Sequence, residues 1–163
     1  VQRRVLPVRL AANIVRGRRN HAFGEHCQNL AQSTLQRMGF AMVERVHTPF
    51  RLHRVGGRIT GASPVEKVSG DLRAVAPGGR SVLAEVKNRE ERLVWSEIDK
   101  HQVAALDHHA DVDGRSLLIW VRLRPALAID VLDWAILRAA GFGPRAVLTP
   151  GCDLIAAAVV LAV

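Results

Sequence analysis

"SGDLRAVAPGGRSVLAEVKNRE" (69–90) sets two short apolar runs on either side of the turn cluster APGGR, and its reading decides the fold. Residues 68–75 and 81–88 predict an antiparallel hairpin. Successive side chains of a strand point to opposite faces, so Val82, Ala84 and Val86 share one face while Leu83, Glu85 and Lys87 share the other. The first face is core. With a loop at 76–80, residue 75 faces 81, and counting outward sets Asp71 opposite Glu85, roughly 5 Å apart at Cβ. A loop one residue shorter shifts that register.

Two carboxylates this close repel, and a bare pair drives one pKa up until it holds a proton. A divalent hard cation relieves them, since Mg²⁺ takes oxygen ligands, keeps several waters and often uses only one or two protein carboxylates. Lys87, one step beyond Glu85 on the same face, adds a point charge able to hold a nucleophilic water or offset charge on a scissile phosphate. These are the parts of metal-assisted phosphodiester hydrolysis. The competing reading is a solvated charged face on a surface hairpin.

Outward from the hairpin, 163 residues suit one domain with its own core. A net charge of +8, carried mostly by Arg, points to a polyanionic partner, with nucleic acid ahead of a membrane surface or acidic protein. Cys27 and Cys152 show no C-x-x-C spacing, which excludes a disulfide framework and a zinc-finger pattern and points to the cytoplasm. No apolar run has the length of a membrane span. The start, with six Arg and no acid before Glu25, reads as a flexible basic arm over 1–19; a mitochondrial transit peptide has the same composition and stands as the alternative. Residues 20–163 form the single domain.

Phe23, Cys27, Leu30, Ala31, Thr34 and Met38 recur at helical spacing, predicting a helix from Asn20 to Met38 with Gly39 as its stop. Residues 40–55 predict two edge-like strand pieces around Pro49, and 56–64 a loop. Ser96 with Asp99 predicts a capping box for a helix at about 97–110. "SLLIWVRL" (116–123) predicts a buried strand, and Asp130 caps a helix that ends at Gly141. The apolar last ten residues predict a buried strand or an oligomer contact. This order argues for an α/β fold with a mixed sheet flanked by helices. Gln102 interrupts an apolar stripe with Ile98 and Leu106, so it is either bonded to a group on the adjacent sheet or wet at the stripe's edge. Glu25 lies with Gln28, Asn29, Gln32 and Gln36 on a polar face, by periodicity a solvated one. His21, His26, His47 and His53 lack the spacing of a zinc site, and "DHHADVD" (107–113) reads as a polar helix end before Gly114.

"GRRNHAFGEHCQNL", "HTPF", "SGDLRAV", "LAEVKNRE" and "IDKHQVAALDHHADVDGRSLLIWV" occur in an order that resembles the RecU-type Holliday junction resolvases of the PD-(D/E)XK nuclease superfamily. The likeness covers about residues 17–135. It implies a restriction-endonuclease-like core and a homodimer that resolves four-way DNA junctions in recombination and repair, using Mg²⁺ or Mn²⁺. It also makes Glu25 the helical acid of the site and Gln102 its partner from the His-Gln helix. On that basis Asp71, Glu85 and the Val86 carbonyl are expected as metal ligands, with Lys87 positioning water. Arg16, Arg18, Arg19, Thr48, Arg51, Arg54 and Arg58 are expected on DNA, touching phosphates rather than bases. A bacterial or phage protein acting in the cytoplasm fits this reading. The segment between "HTPF" and Asp71 is short for the family, so its projecting stalk is expected to be reduced. Alternatives are an endonuclease for flaps, mismatches or any DNA, and a DNA-binding protein without catalysis.

Overall fold

The computed structural model describes residues 8–47, 49–65 and 70–160, so Thr48 lies outside the described residues. In chain order it holds α1 (Val8–Arg37), β1 (Ala41–Arg45), β2 (Phe50–Val55), β3 (Arg58–Pro64), β4 (Leu72–Val75), β5 (Ser81–Asn88) and β6 (Leu93–Val94). A 3-10 turn (Trp95–Glu97) leads to α2 (Lys100–Asp111), β7 (Arg115–Arg122), β8 (Ala128–Asp133), α3 (Trp134–Ala139), β9 (Val147–Leu148) and α4 (Asp153–Ala158). Five strands in the order β1-β4-β5-β7-β8 make one sheet, antiparallel except where β7 runs parallel to β5. The protein is therefore a mixed α/β structure.

The hairpin has the register that its sequence predicts. Val75 faces Ser81 and Leu72 faces Ala84, across a loop of residues 76–80. Val82 and Ala84 pack with Cys27, Ala31 and Leu35 of α1, while Leu83 belongs to a second core with Leu106 of α2 and Trp134 of α3. Both faces of β5 are thus buried, and Glu85 is only 2% exposed. Apolar burial of this kind contributes roughly 25 cal/mol per Å², which is what holds a charged pair in place here.

Five elements depart from expectation. The first helix begins at Val8, well before Asn20: residues 8–19 contain many good helix formers and no Pro, so nothing in that stretch stops the helix. Residues 58–64 are strand β3, not loop, paired antiparallel with β2 around Gly56 and Gly57, whose φ angles of 57° and 76° turn the ribbon. The helix start predicted at Ser96 moves to Asp99, because the Gln102 side chain reaches back to accept the Asp99 N–H at 2.9 Å. Likewise Asp130 stays in β8, and Asp133 caps α3 by accepting from the Ile136 N–H. In the tail, Asp153–Ala158 is a helix rather than a strand, with an acid in its first turn and an Ala-rich run; residues 161–163 lie outside the described residues.

Gly70, just before Asp71, has a φ of 79°, and an added Cβ there would strike the Leu83 side chain. Gly70→Ala is expected to lower unfolding free energy by about 2 kcal/mol in a urea titration. An unchanged midpoint would show that the hairpin entry relaxes without strain.

Candidate active site

Asp71 sits one residue before β4, and continuing the hairpin register places it opposite Glu85. Its carboxylate is held from two sides: Oδ1 accepts from Gln28 Nε2 of α1 at 2.8 Å, and Oδ2 accepts from the Val86 N–H at 2.8 Å. Its own N–H donates to the Ala84 carbonyl. The group is thereby fixed between the first helix and the central strand.

Glu85 is the buried member of the pair. Its Oε1 lies 3.1 Å from Lys87 Nζ and accepts from Gln102 Nε2, whereas its Oε2 has no hydrogen-bond partner. Gln102 Oε1 in turn accepts from Lys87 Nζ at 2.9 Å as well as from the Asp99 N–H. One amide therefore caps α2 and ties the acid to the lysine. Burial, and then the negative charge of Asp71, push the Glu85 carboxyl up to about 7, against the opposing pull of the Lys87 ammonium. This is the response expected of two carboxylates facing each other in a dry place.

The structure brings Asp71, Glu85, Val86, Lys87 and Gln102 together. Val86 contributes its N–H to the cluster. Glu25 does not join: its carboxylate is exposed and lies 3.6 Å from His21 Nδ1. The α1 residue that reaches Asp71 is Gln28, one helical turn on. Spacing had set Gln28 on the same polar face as Glu25, so the signal was present without anything to choose between them. Arg19, Arg51, Arg54 and Arg58 are exposed; the backbones of Arg16 and Arg18 lie in α1, and their side chains are not described.

Among the described residues no three His, Cys, Asp or Glu side chains gather at one point. The donor set is then two carboxylates, one of them with an unpartnered buried oxygen. That fits Mg²⁺, which commonly takes one or two protein carboxylates and completes its shell with water. It does not fit a structural zinc, which takes four protein ligands.

Two basic projections leave the sheet beside Asp71. The β2–β3 ribbon is inserted between β1 and Asp71, with the Val46 N–H donating to the Asp71 carbonyl at its base. It reaches roughly 20 Å. Its residues 51–62 are exposed throughout, and Val55 at the tip is 71% exposed. The segment between HTPF and Asp71 thus contains a two-stranded ribbon. The N-terminal half of α1 is the other: residues 19–26 are all exposed, and the helix C-terminus lies at the opposite, turn end, where Gly39 meets Pro77. No helix among the described residues is long and apolar enough to cross a membrane. No protein-family model matches the chain, and no characterised protein matches it in sequence.

Proposed function

We propose that the chain is a Mg²⁺-dependent endonuclease of the RecU-type resolvase kind, which hydrolyses phosphodiester bonds in branched DNA as a homodimer. The observation that carries this reading is the buried Glu85, with one unpartnered oxygen, set against Asp71 and tied to Lys87. A buried acid set against a second, half-buried carboxylate is costly to maintain as a structural element, because like charges in a poorly solvated place destabilise the fold. Such groups cluster where chemistry needs them.

In this reading Asp71 and Glu85 would hold Mg²⁺, together with the Val86 carbonyl. Bound there, the ion supplies positive charge against the charge that builds on the scissile phosphate. Lys87, held by Glu85 and Gln102, orients the attacking water and stabilises the same phosphate. Gln28 and the Val86 N–H keep Asp71 from swinging away. The water attacks in line, and the 3′ oxygen leaves. Arg19 and the ribbon residues Arg51, Arg54 and Arg58 contact phosphates on either side of the site, so that shape is read rather than sequence. A four-way junction is nearly two-fold symmetric, which matches two equal sites in a two-fold dimer.

The testing experiment incubates four-way junction, flap, linear duplex and single-stranded DNA side by side, with and without Mg²⁺. Paired nicks in the junction that need Mg²⁺ are expected. Equal cutting of all four substrates would replace the junction reading with that of a non-specific nuclease. Binding without any cutting would leave a DNA-binding protein.

A further inference from the structure

At the turn end of β5, six residues from Lys87 along the strand, three side chains form a directed relay. Ser116, on β7 and 2% exposed, donates its hydroxyl to the Leu106 carbonyl at 2.7 Å. Its only proton is thereby committed, so towards His109 Nδ1, 3.3 Å away, it acts as acceptor. That sets the tautomer: Nδ1 carries the proton, and Nε2 presents a lone pair to the exposed Ser81 hydroxyl at 3.1 Å. The imidazole is seated against Gly114, where a Cβ would strike the ring. The arrangement is a nucleophile, a base and a group orienting the base.

We propose that Ser81 is a nucleophilic serine, with His109 as its general base and Ser116 orienting that base, at a second site for small anionic carboxylic esters. Burial, followed by the charges of Arg73 and His108, holds His109 below the usual imidazole range, so at neutral pH it is the unprotonated base the step requires. Arg73 lies on the Ser81 side of the hairpin, one pleat along, because Arg73 faces Leu83 as Val75 faces Ser81. It is the cation that pairs with the substrate's acid group. Arg80, next in sequence to Ser81, is engaged with Asp113 at 3.5 Å.

The step balances within these groups. Ser81 Oγ bonds to the ester carbonyl carbon as its proton passes to His109 Nε2; the carbon–oxygen bond to the alcohol then breaks, and the alcohol departs with that proton. Water repeats the sequence on the acyl-serine to release the acid and restore Ser81.

The full chain treated with a fluorophosphonate probe, which bonds to a nucleophilic serine as fluoride leaves, should carry the label on Ser81 by peptide mass spectrometry. Labelling should be absent in Ser81→Ala and slower by roughly 10²-fold in His109→Ala. Hydrolysis of 4-nitrophenyl hemisuccinate should show a KM about tenfold higher in Arg73→Ala, with the KM for neutral 4-nitrophenyl acetate unchanged. Label that is no greater on the wild type than on Ser81→Ala, or unchanged in a folded His109→Ala, overturns the proposal. Where His109→Ala fails to fold, Ser81→Cys decides: its thiol should react with iodoacetamide at pH 7 about tenfold faster than glutathione, and an equal rate is the contrary result. Ser81→Ala should leave DNA cleavage unchanged, since Ser81 stands apart from the acid pair.

Discussion

Replacing Asp71 with Asn is expected to lower Mg²⁺-dependent cleavage of a four-way junction by roughly 10³-fold, because in the proposed mechanism several kcal/mol of transition-state stabilisation would depend on that carboxylate. DNA binding should persist in this variant, since the arginines of α1 and the ribbon are untouched. The substitution also has a structural cost that can be calculated in advance. Asp71 accepts from both Gln28 Nε2 and the Val86 N–H, one on each oxygen. An Asn has a single acceptor oxygen and puts an NH₂ against the other donor, which loses its partner at a cost of about 1–3 kcal/mol. The melting curve of the variant therefore has to accompany the rate. A folded Asp71→Asn protein that cuts at the wild-type rate would remove Asp71 from the chemistry.

Glu85→Gln has the opposite sign on stability. In the folded protein Glu85 holds its proton up to about pH 7, whereas its usual value is 4.5. Between those values the folded state binds more protons than the unfolded one, so stability falls as pH rises through that window. The loss is about 3 kcal/mol once Glu85 is ionised. Gln carries no charge at any pH. The variant without metal is expected to melt roughly 5–10 °C above the wild type at pH 8, with the two curves converging near pH 4. Mg²⁺ should raise the wild-type melting temperature at pH 8 and leave that of Glu85→Gln unmoved, while cleavage by the variant is lost. A wild-type stability that is flat from pH 4.5 to 7 would mean that Glu85 ionises without strain.

The hairpin was the most legible part of the chain, for physical reasons. A five-residue turn cluster with two glycines fixed the loop, and strict alternation on β5 then left one register that kept Val82 and Ala84 in the core. Asp71, Glu85 and Lys87 followed from that register. Gln102 was visible as a polar break in an apolar stripe, and its hydrogen bonds to Glu85 and Lys87 account for the break. Helix α1 before Asn20 was hidden because Asn20 is a capping residue type, which reads as a helix start even where the helix runs through it. The second strand of the ribbon was hidden for a different reason: Leu52, Val55 and Ile59 are all exposed, so no inside and outside alternate to mark 58–64 as the partner of β2. Gln28 could not be told from its polar neighbours until the path of α1 past Asp71 was known. The shift of two helix caps, from Ser96 to Asp99 and from Asp130 to Asp133, reflects several capping residue types lying within a turn of each other.

The central claim is that Asp71 and Glu85 together bind a divalent cation beside Lys87, and Mn²⁺ titration tests it without reference to DNA. The electron paramagnetic resonance signal of free Mn²⁺, followed at pH 8 as the ion is added, should show saturable uptake by the wild-type chain and none by the Asp71→Asn/Glu85→Gln double variant. Identical uptake by the two proteins, or none by either, would contradict the account.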